Sequence, residues 1–139
     1  MQIAVSHKFN NIIFWNSIIK HFSNFLSDTI YFESINRINK YTIGKVTVGL
    51  ANYLNKHYPN PSVVIGYDTR HNSREFAFRA TLVLNNEGIK TYIFKDITST
   101  PEVSFAVKYL KTTSGIVITS SHNSKEYNGY KVYNYKGGQ

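Results

Sequence analysis

The chain has 139 residues, enough for one domain with a single core and too few for a multidomain enzyme. It contains no cysteine, which excludes a disulfide framework and a thiolate metal site. Sixteen lysines and arginines against eight acidic residues give a formal charge of +8. The basic residues are scattered, with no run of five or more, so we do not expect a nucleic-acid surface.

The first 34 residues differ in pattern from the rest of the chain. Apolar residues recur at helical spacing over the segment 12–26, at Ile12, Trp15, Ile19, Phe22 and Leu26. This spacing predicts an amphipathic helix, and we expect residues 1–34 to form an extension loosely attached to the domain. Asn16, Lys20 and His21 interrupt the apolar stretch, so neither a signal peptide nor a membrane span is predicted.

From residue 40 onward, helical and strand patterns alternate. The predicted helices have apolar residues at helical spacing and are 42–56, 74–86 and 101–110. The predicted strands are short β-branched or alternating runs at 62–66, 90–94, 115–119 and 130–134. Because strands separated by helices need crossover connections, the predicted class is α/β. We expect a three-layer α/β/α domain over residues 35–139, with a mixed, mostly parallel sheet of about four strands.

The stretch between the last two predicted strands carries the candidate chemistry. The apolar run 116–118 is followed by a polar loop that contains Ser121 and His122. The pair Asn128 and Gly129 is typical of a chain reversal and predicts a turn before the last strand. A loop at the end of a buried strand can hold a side chain rigidly and open to solvent. By itself, Ser121 would be an ordinary surface serine; the flanking residues make it a candidate nucleophile.

Four regions of the chain, taken in order, resemble the alpha-D-phosphohexomutases, the phosphoglucomutase and phosphomannomutase family. They are N-R-I-N at 36–39 (family N-R-M-N), G-Y-D-T-R-H-N-S at 66–73 (family G-x-D-x-R-x-x-S), T-P-E-V-S-F-A-V at 100–107 (family T-P-E-x-S-F-A-V), and T-S-S-H-N-S at 119–124 with N-G-Y-K at 128–131 (family T-A-S-H-N-P and N-G-x-K). Two departures are Ser120 and Ser124, which replace a common alanine and proline. A third is the segment 27–34, which lacks the family's glycine-rich loop and its active-site arginine.

The resemblance implies the nucleophile domain of a phosphohexomutase, an isomerase that works by intramolecular phosphoryl transfer. In this family a phosphoserine gives its phosphoryl group to a sugar phosphate, and the resulting sugar bisphosphate returns its other phosphate to the serine. Ser121 matches that serine, and His122 and Lys131 are the other residues expected to be catalytic. The implied substrates are hexose or pentose phosphates of carbohydrate metabolism, in the cytoplasm.

The same resemblance implies binding roles for three residues and a metal ion. Asn123, Lys131 and Arg70 are expected to contact the sugar phosphate, since their side chains donate hydrogen bonds. Arg70 has two further interpretations, because it could orient the nucleophile loop or simply pair with Asp68; a structural role is favoured. The implied cofactor is Mg²⁺, held by Ser121 through its phosphate. The family's D-G-D-x-D-R segment, which supplies the remaining ligands, does not occur in this chain.

Two functions remain open at this point. The first is the nucleophile domain of a larger enzyme, of which this chain is a fragment; the missing downstream domains are then its partners, and the isolated chain is expected to be inactive. The alternative is a truncated, non-catalytic domain that acts as a binding module through its N-terminal helix. Neither nucleic acid nor a membrane is expected as a partner.

Overall fold

The structure, a computed structural model, describes residues 3–6, 30–32 and 38–139. Its strands are β1 (Ile3–Ser6), β2 (Ile30–Phe32), β3 (Ser62–Tyr67), β4 (Lys90–Phe94), β5 (Ser114–Ile118) and β6 (Asn128–Asn134). Its helices are α1 (Lys40–His57), α2 (Ser73–Asn86) and α3 (Thr100–Tyr109). All the helices and strands predicted from residue 40 onward are present, with ends that differ from the prediction by two residues at most.

The strands form one mixed sheet with the order β1-β4-β3-β5-β6-β2. The three central strands β4, β3 and β5 are parallel, because α2 and α3 each provide a crossover between them. Strand β6 follows β5 after a loop without a helix and is antiparallel to it. The short strands β1 and β2 pair antiparallel at the two edges. The predicted α/β class is confirmed.

The sheet has a different apolar core on each face. In β3, Val63 and Ile65 contact the cluster that contains α1 and α2, whereas Val64 contacts the cluster that contains α3. This alternation follows from the two-residue period of a strand. Helices α1 and α2 therefore cover one face and α3 covers the other, which gives the three expected layers.

Gly66 allows α3 to approach the sheet closely. A Cβ atom at this position would overlap the side chains of Thr98 and Val103, which lie on the α3 face. Strand β3 and the start of α3 can therefore pack at this distance only because residue 66 has no side chain.

Tyr130 is buried on the opposite face and links β6 to α1. Its hydroxyl lies 3.1 Å from the hydroxyl of Thr47, and its side chain is fully inaccessible to solvent. Burial disfavours the phenolate and raises the pKa of Tyr130 well above its usual value.

Two strands lie within the predicted N-terminal extension. Residues 3–6 and 30–32 join the sheet through β4 and β6, which the sequence analysis did not anticipate. Runs of three or four residues are too short to show a strand period. The predicted amphipathic helix over 12–26 lies outside the described residues. None of the described helices is long and apolar enough to cross a membrane.

Candidate functional site

The carboxyl ends of the three parallel strands lie at one edge of the sheet. Three loops leave this edge: residues 68–72 after β3, residues 95–99 after β4 (the α3 loop) and residues 119–127 after β5 (the serine loop). The backbone N–H of Asp68 donates to the carbonyl of Ile118 over 3.2 Å, so the first and third loops begin side by side. Open α/β sheets bind ligands at this edge.

Ser121 is the first exposed residue after β5. Thr119 and Ser120 are still buried, and the chain then turns outward, with the N–H of Asn123 donating to the carbonyl of Ser120. Ser121 has a φ of 55°, in the left-handed region of backbone conformation. This conformation is unfavourable in free energy for any residue that has a side chain. Its hydroxyl makes no hydrogen bond to any described residue, so the candidate nucleophile is exposed and accessible from the solvent.

The predicted turn at Asn128 and Gly129 is wrong. Strand β6 already begins at Asn128, and the chain reverses earlier, where the N–H of Tyr127 donates to the carbonyl of Ser124. The side chain of Asn128 is buried; its amide nitrogen donates to the Ser73 hydroxyl over 2.8 Å. This contact between distant parts of the chain takes precedence over the local preference of an Asn-Gly pair for a turn.

The guanidinium of Arg70 binds the serine loop through four backbone carbonyls. Nη1 donates to the carbonyls of Ser124 and Tyr127 over 2.5 and 3.0 Å. Nη2 donates to the carbonyls of Ser121 and Asn123 over 2.6 and 2.7 Å. We call these four hydrogen bonds the Arg70 clasp. Arg70 belongs to the loop after β3, so the clasp joins two loops that are far apart in sequence.

Asp68 orients the guanidinium from the other side. Its Oδ2 accepts from Arg70 Nε over 2.9 Å, and its Oδ1 accepts from the Arg70 backbone N–H and the Ser73 hydroxyl. The Ser73 hydroxyl in turn accepts from Asn128. The two structural interpretations of Arg70 are therefore true together. All five guanidinium N–H groups are engaged, so the expected contact with substrate would require one of these bonds to break.

The neighbours of Ser121 in the loop are exposed. His122 makes no hydrogen bond to a described residue, and the side-chain amide of Asn123 donates to the Ser120 hydroxyl over 3.1 Å. Further along, a hydrogen bond from the Ser124 hydroxyl is the main cause that lowers the pKa of Glu126. The loop therefore carries an exposed imidazole without a hydrogen-bond partner among the described residues and a carboxylate whose ionised form is favoured.

Lys131 lies inside the sheet and not in the loop. It pairs with Val117 across β5 and β6, and it alternates with Tyr130, so it lies on the α3 face. Only 7% of the residue is exposed, yet its ammonium makes no hydrogen bond or ion pair with the part of the chain that the structure describes. The ammonium is not among the fully buried unpaired polar atoms of the described residues, so it keeps some access to solvent. A lysine that is mostly covered, with an unpaired ammonium, is a candidate for binding an anion.

The described residues do not by themselves fit the implied Mg²⁺. No group of three metal-binding side chains occurs among them. The carboxylate of Asp68 lies at this edge of the sheet, but it already accepts hydrogen bonds from Arg70 and Ser73. Octahedral Mg²⁺ needs oxygen ligands beyond a single phosphoserine.

A cleft of about 760 Å³ opens beside the serine loop. Its lining includes Ser121 and Asn123, together with His71 and Lys125. It is wide open to solvent and has polar and cationic groups on its walls, which suits a phosphorylated ligand. Two residues that hold this site, Ser73 and Asn128, were not recognised from the sequence, since their roles depend on contacts 55 residues apart along the chain.

The fold and the loop define a class of protein, and sequence comparison identifies it. Residues 30–139 match the family description "Phosphoglucomutase/phosphomannomutase, alpha/beta/alpha domain I". The chain belongs to the phosphoglucomutase/phosphomannomutase family and corresponds to its first domain.

Known proteins similar to the chain agree with this assignment. Phosphoglucomutases from Staphylococcus haemolyticus (strain JCSC1435) and Staphylococcus aureus (strain MRSA252) are 52% and 53% identical to it over 103 residues, which are 74% of this chain and 19% of theirs. A crystal structure from Thermus thermophilus assigned as a phosphomannomutase has a TM-score of 0.77 and 29% identity, over 82% of this chain and 26% of that one. A family protein from Burkholderia thailandensis, with a TM-score of 0.68 and 21% identity over 78% of this chain and 25% of that one, shares the fold. The chain thus spans about a fifth of the length of the curated relatives it matches.

Proposed function

We propose that the chain is the nucleophile domain of a phosphohexomutase and that Ser121 carries the phosphoryl group. The observation that carries this proposal is the exposed Ser121 hydroxyl, held in a left-handed backbone conformation at the carboxyl edge of the sheet. Phosphoryl transfer depends mainly on positioning and on neutralising charge. A serine fixed at the end of a rigid strand supplies the first requirement.

The transfer itself exchanges one phosphate ester for another. A hydroxyl oxygen of the sugar phosphate attacks phosphorus, the bond between phosphorus and the Ser121 oxygen breaks, and a sugar bisphosphate forms. The proton of the sugar hydroxyl leaves and a proton reaches Ser121. We propose that the exposed imidazole of His122, next to Ser121 in the loop, carries this proton. The Ser121 hydroxyl then attacks the other phosphate of the sugar bisphosphate, which regenerates phosphoserine and completes an isomerisation.

Lys131 supports the second requirement, which is charge. Its ammonium has no partner among the described residues and keeps some access to solvent, so it is available to an anionic group. We propose that Lys131 interacts with the phosphoryl group and that Asn123 donates to a sugar hydroxyl or phosphate oxygen. Both proposals can be tested by Lys131→Met and Asn123→Ala in an active assembly.

The substrates proposed are hexose phosphates first and pentose phosphates second, with the corresponding bisphosphates. The relatives are phosphoglucomutases and the similar structure from Thermus thermophilus is assigned as a phosphomannomutase, so glucose and mannose phosphates are the first to test. Sugar phosphates are metabolites of the cytoplasm, and we propose that location. Because the relatives are about four times as long as this chain, their other domains are the proposed source of the Mg²⁺ ligands and of phosphate-binding groups.

A chimera tests this function. The matching 103 residues of the Staphylococcus aureus phosphoglucomutase are replaced by those of this chain, and conversion of glucose 1-phosphate is measured with Mg²⁺ and glucose 1,6-bisphosphate. We expect turnover that Ser121→Ala abolishes and that Ser124→Ala, three residues away, largely retains. The chain alone is expected to show none. Turnover that survives Ser121→Ala, or a folded chimera without turnover, would refute the proposal.

A further inference from the structure

The serine loop has little else to hold it in place. Residues 121–127 are all exposed, so little apolar burial stabilises their conformation. Two backbone hydrogen bonds close its turns, from Asn123 to Ser120 and from Tyr127 to Ser124. Inside the loop, the Ser121 N–H donates to the Thr119 hydroxyl and the Asn123 amide donates to the Ser120 hydroxyl. The hydrogen bonds that tie residues 121–127 to a distant part of the described chain all come from Arg70, whose side chain is 10% exposed. The loop therefore depends on one side chain that comes from another strand end.

The Arg70 clasp also holds the backbone of Ser121, which is in a strained conformation. The carbonyl of Ser121, whose φ is 55°, is the acceptor of the 2.6 Å bond from Arg70 Nη2. A residue persists in this backbone region when the surrounding structure determines its conformation. Because the carbonyls of Asn123 and Ser124 bind the same guanidinium, the Ser121 backbone cannot relax without moving its neighbours.

An arginine is needed for this geometry. Its planar fork presents five donors in fixed directions, and here four reach loop carbonyls while the fifth reaches Asp68. A lysine has a single nitrogen and three donors, so it can keep the charge but not the four-carbonyl contact. Asp68 is anchored by Ser73, the first residue of α2, which makes the base of the clasp rigid.

We infer that Arg70 is a positioning residue of the proposed phosphoryl transfer: it holds Ser121 in the reactive conformation and makes no contact with the substrate. This inference rests on the proposed function of Ser121. Its geometric part is independent of that function, because every N–H of the guanidinium is already used within the protein. Loss of Arg70 should therefore slow the reaction without weakening the binding of the sugar phosphate.

The first test measures the loop in the chain as it is. Amide hydrogen exchange by NMR is recorded at Asn123 and Tyr127, together with the backbone coupling constant of Ser121. We expect Arg70→Met and Arg70→Lys each to accelerate exchange roughly tenfold or more at both amides and to shift the Ser121 coupling. Arg74→Met is the matched control, since Arg74 is exposed and stacks on Phe78. Unchanged exchange and coupling in both Arg70 variants would overturn the inference.

The second test uses the chimera with the Staphylococcus aureus phosphoglucomutase and separates kcat from KM. Arg70→Met should lower kcat by roughly a hundredfold and leave KM within about twofold. Arg70→Lys should not rescue kcat, although it retains the charge. A rise in KM with kcat unchanged would show that Arg70 binds substrate, contrary to the inference. If the chimera with Arg70 intact is inactive, the proposed function fails, and the exchange measurement still decides whether Arg70 holds the loop.

Discussion

The α3 loop and the serine loop leave the same edge of the sheet but are held by opposite charges. In the α3 loop, the carboxylate of Glu102 collects three donors: the N–H and hydroxyl of Ser99 at 2.6 and 2.7 Å, and the hydroxyl of Thr98 at 3.1 Å. In the serine loop, the guanidinium of Arg70 collects four carbonyls. A carboxylate satisfies the free N–H groups that begin a helix, and a cation satisfies the carbonyls of an exposed turn.

The two loops also differ in how far apart the contacting residues are. Glu102 is three and four residues from its donors, whereas Arg70 is 51 to 57 residues from the carbonyls it binds. A local cap forms as its helix forms. The serine loop acquires its shape only when β3 and β5 are already paired. The serine loop therefore depends on the assembled sheet, while the α3 loop is determined locally.

Removal of the Arg70 guanidinium should have the largest effect on the free energy of unfolding. Arg70→Met leaves four carbonyls and the Asp68 carboxylate without their partner, and it should lower the free energy of unfolding by about 2–3 kcal/mol, measured by urea denaturation. Glu102→Gln should cost less, because the carboxylate is exposed and glutamine still accepts a hydrogen bond. Equal losses in the two variants would remove the distinction between the two loops.

Filling the space under the α3 loop should disturb that loop alone. In Gly66→Ala the new methyl group overlaps Thr98 and Val103, and we expect a loss of about 1–3 kcal/mol in unfolding free energy. Chemical shifts should change around Thr98 while those of Ser121 stay close to wild type. Shift changes centred on the serine loop would show that the two loops are coupled through β3.

High pH tests the strand that follows the serine loop. Burial raises the pKa of Tyr130, so the folded state keeps the phenol protonated where the unfolded chain has already lost its proton. The contribution of the protonated Tyr130 to the free energy of unfolding is fully present below pH 10, the ordinary pKa of tyrosine. Above that pH the contribution should fall by about 1.4 kcal/mol per pH unit. In Tyr130→Phe the free energy of unfolding should fall less steeply with pH by that amount. A slope equal to that of the wild type would contradict the burial of this hydroxyl.

Low pH should change the free energy of unfolding least, through the carboxylate of Glu102. Hydrogen bonds from the backbone and hydroxyl of Ser99, and from the Thr98 hydroxyl, lower the pKa of Glu102 below 4.5. Its contribution to stability is therefore present above pH 4.5 and is lost as the pH falls through the lowered value. The difference in urea midpoint between wild type and Glu102→Gln should shrink over that range. A difference that stays constant between pH 7 and pH 3 would show that charge plays no part.

The features predicted from the sequence are those with a local cause. Helical spacing and β-branched runs located α1 to α3 and β3 to β6, and the end of the apolar run before Thr119 placed Ser121 at the edge of the sheet. The Arg70 clasp could be named only as one of several interpretations, since nothing near Arg70 shows which carbonyls reach it. The error at Asn128 has the same origin: its side chain binds Ser73, which is distant in sequence. Strands β1 and β2 are defined by pairing with β4 and β6 and have no pattern of their own.

The most direct test of the account is to locate the phosphate. The chain is incubated with Mg²⁺, glucose 1,6-bisphosphate and the remaining domains of the Staphylococcus aureus phosphoglucomutase, and its peptides are mapped by mass spectrometry. The account predicts one phosphate, on Ser121, that is lost on addition of glucose 1-phosphate and absent in Ser121→Ala. Phosphate on Ser120 or Ser124, or none on a chain that binds the added domains, would contradict it.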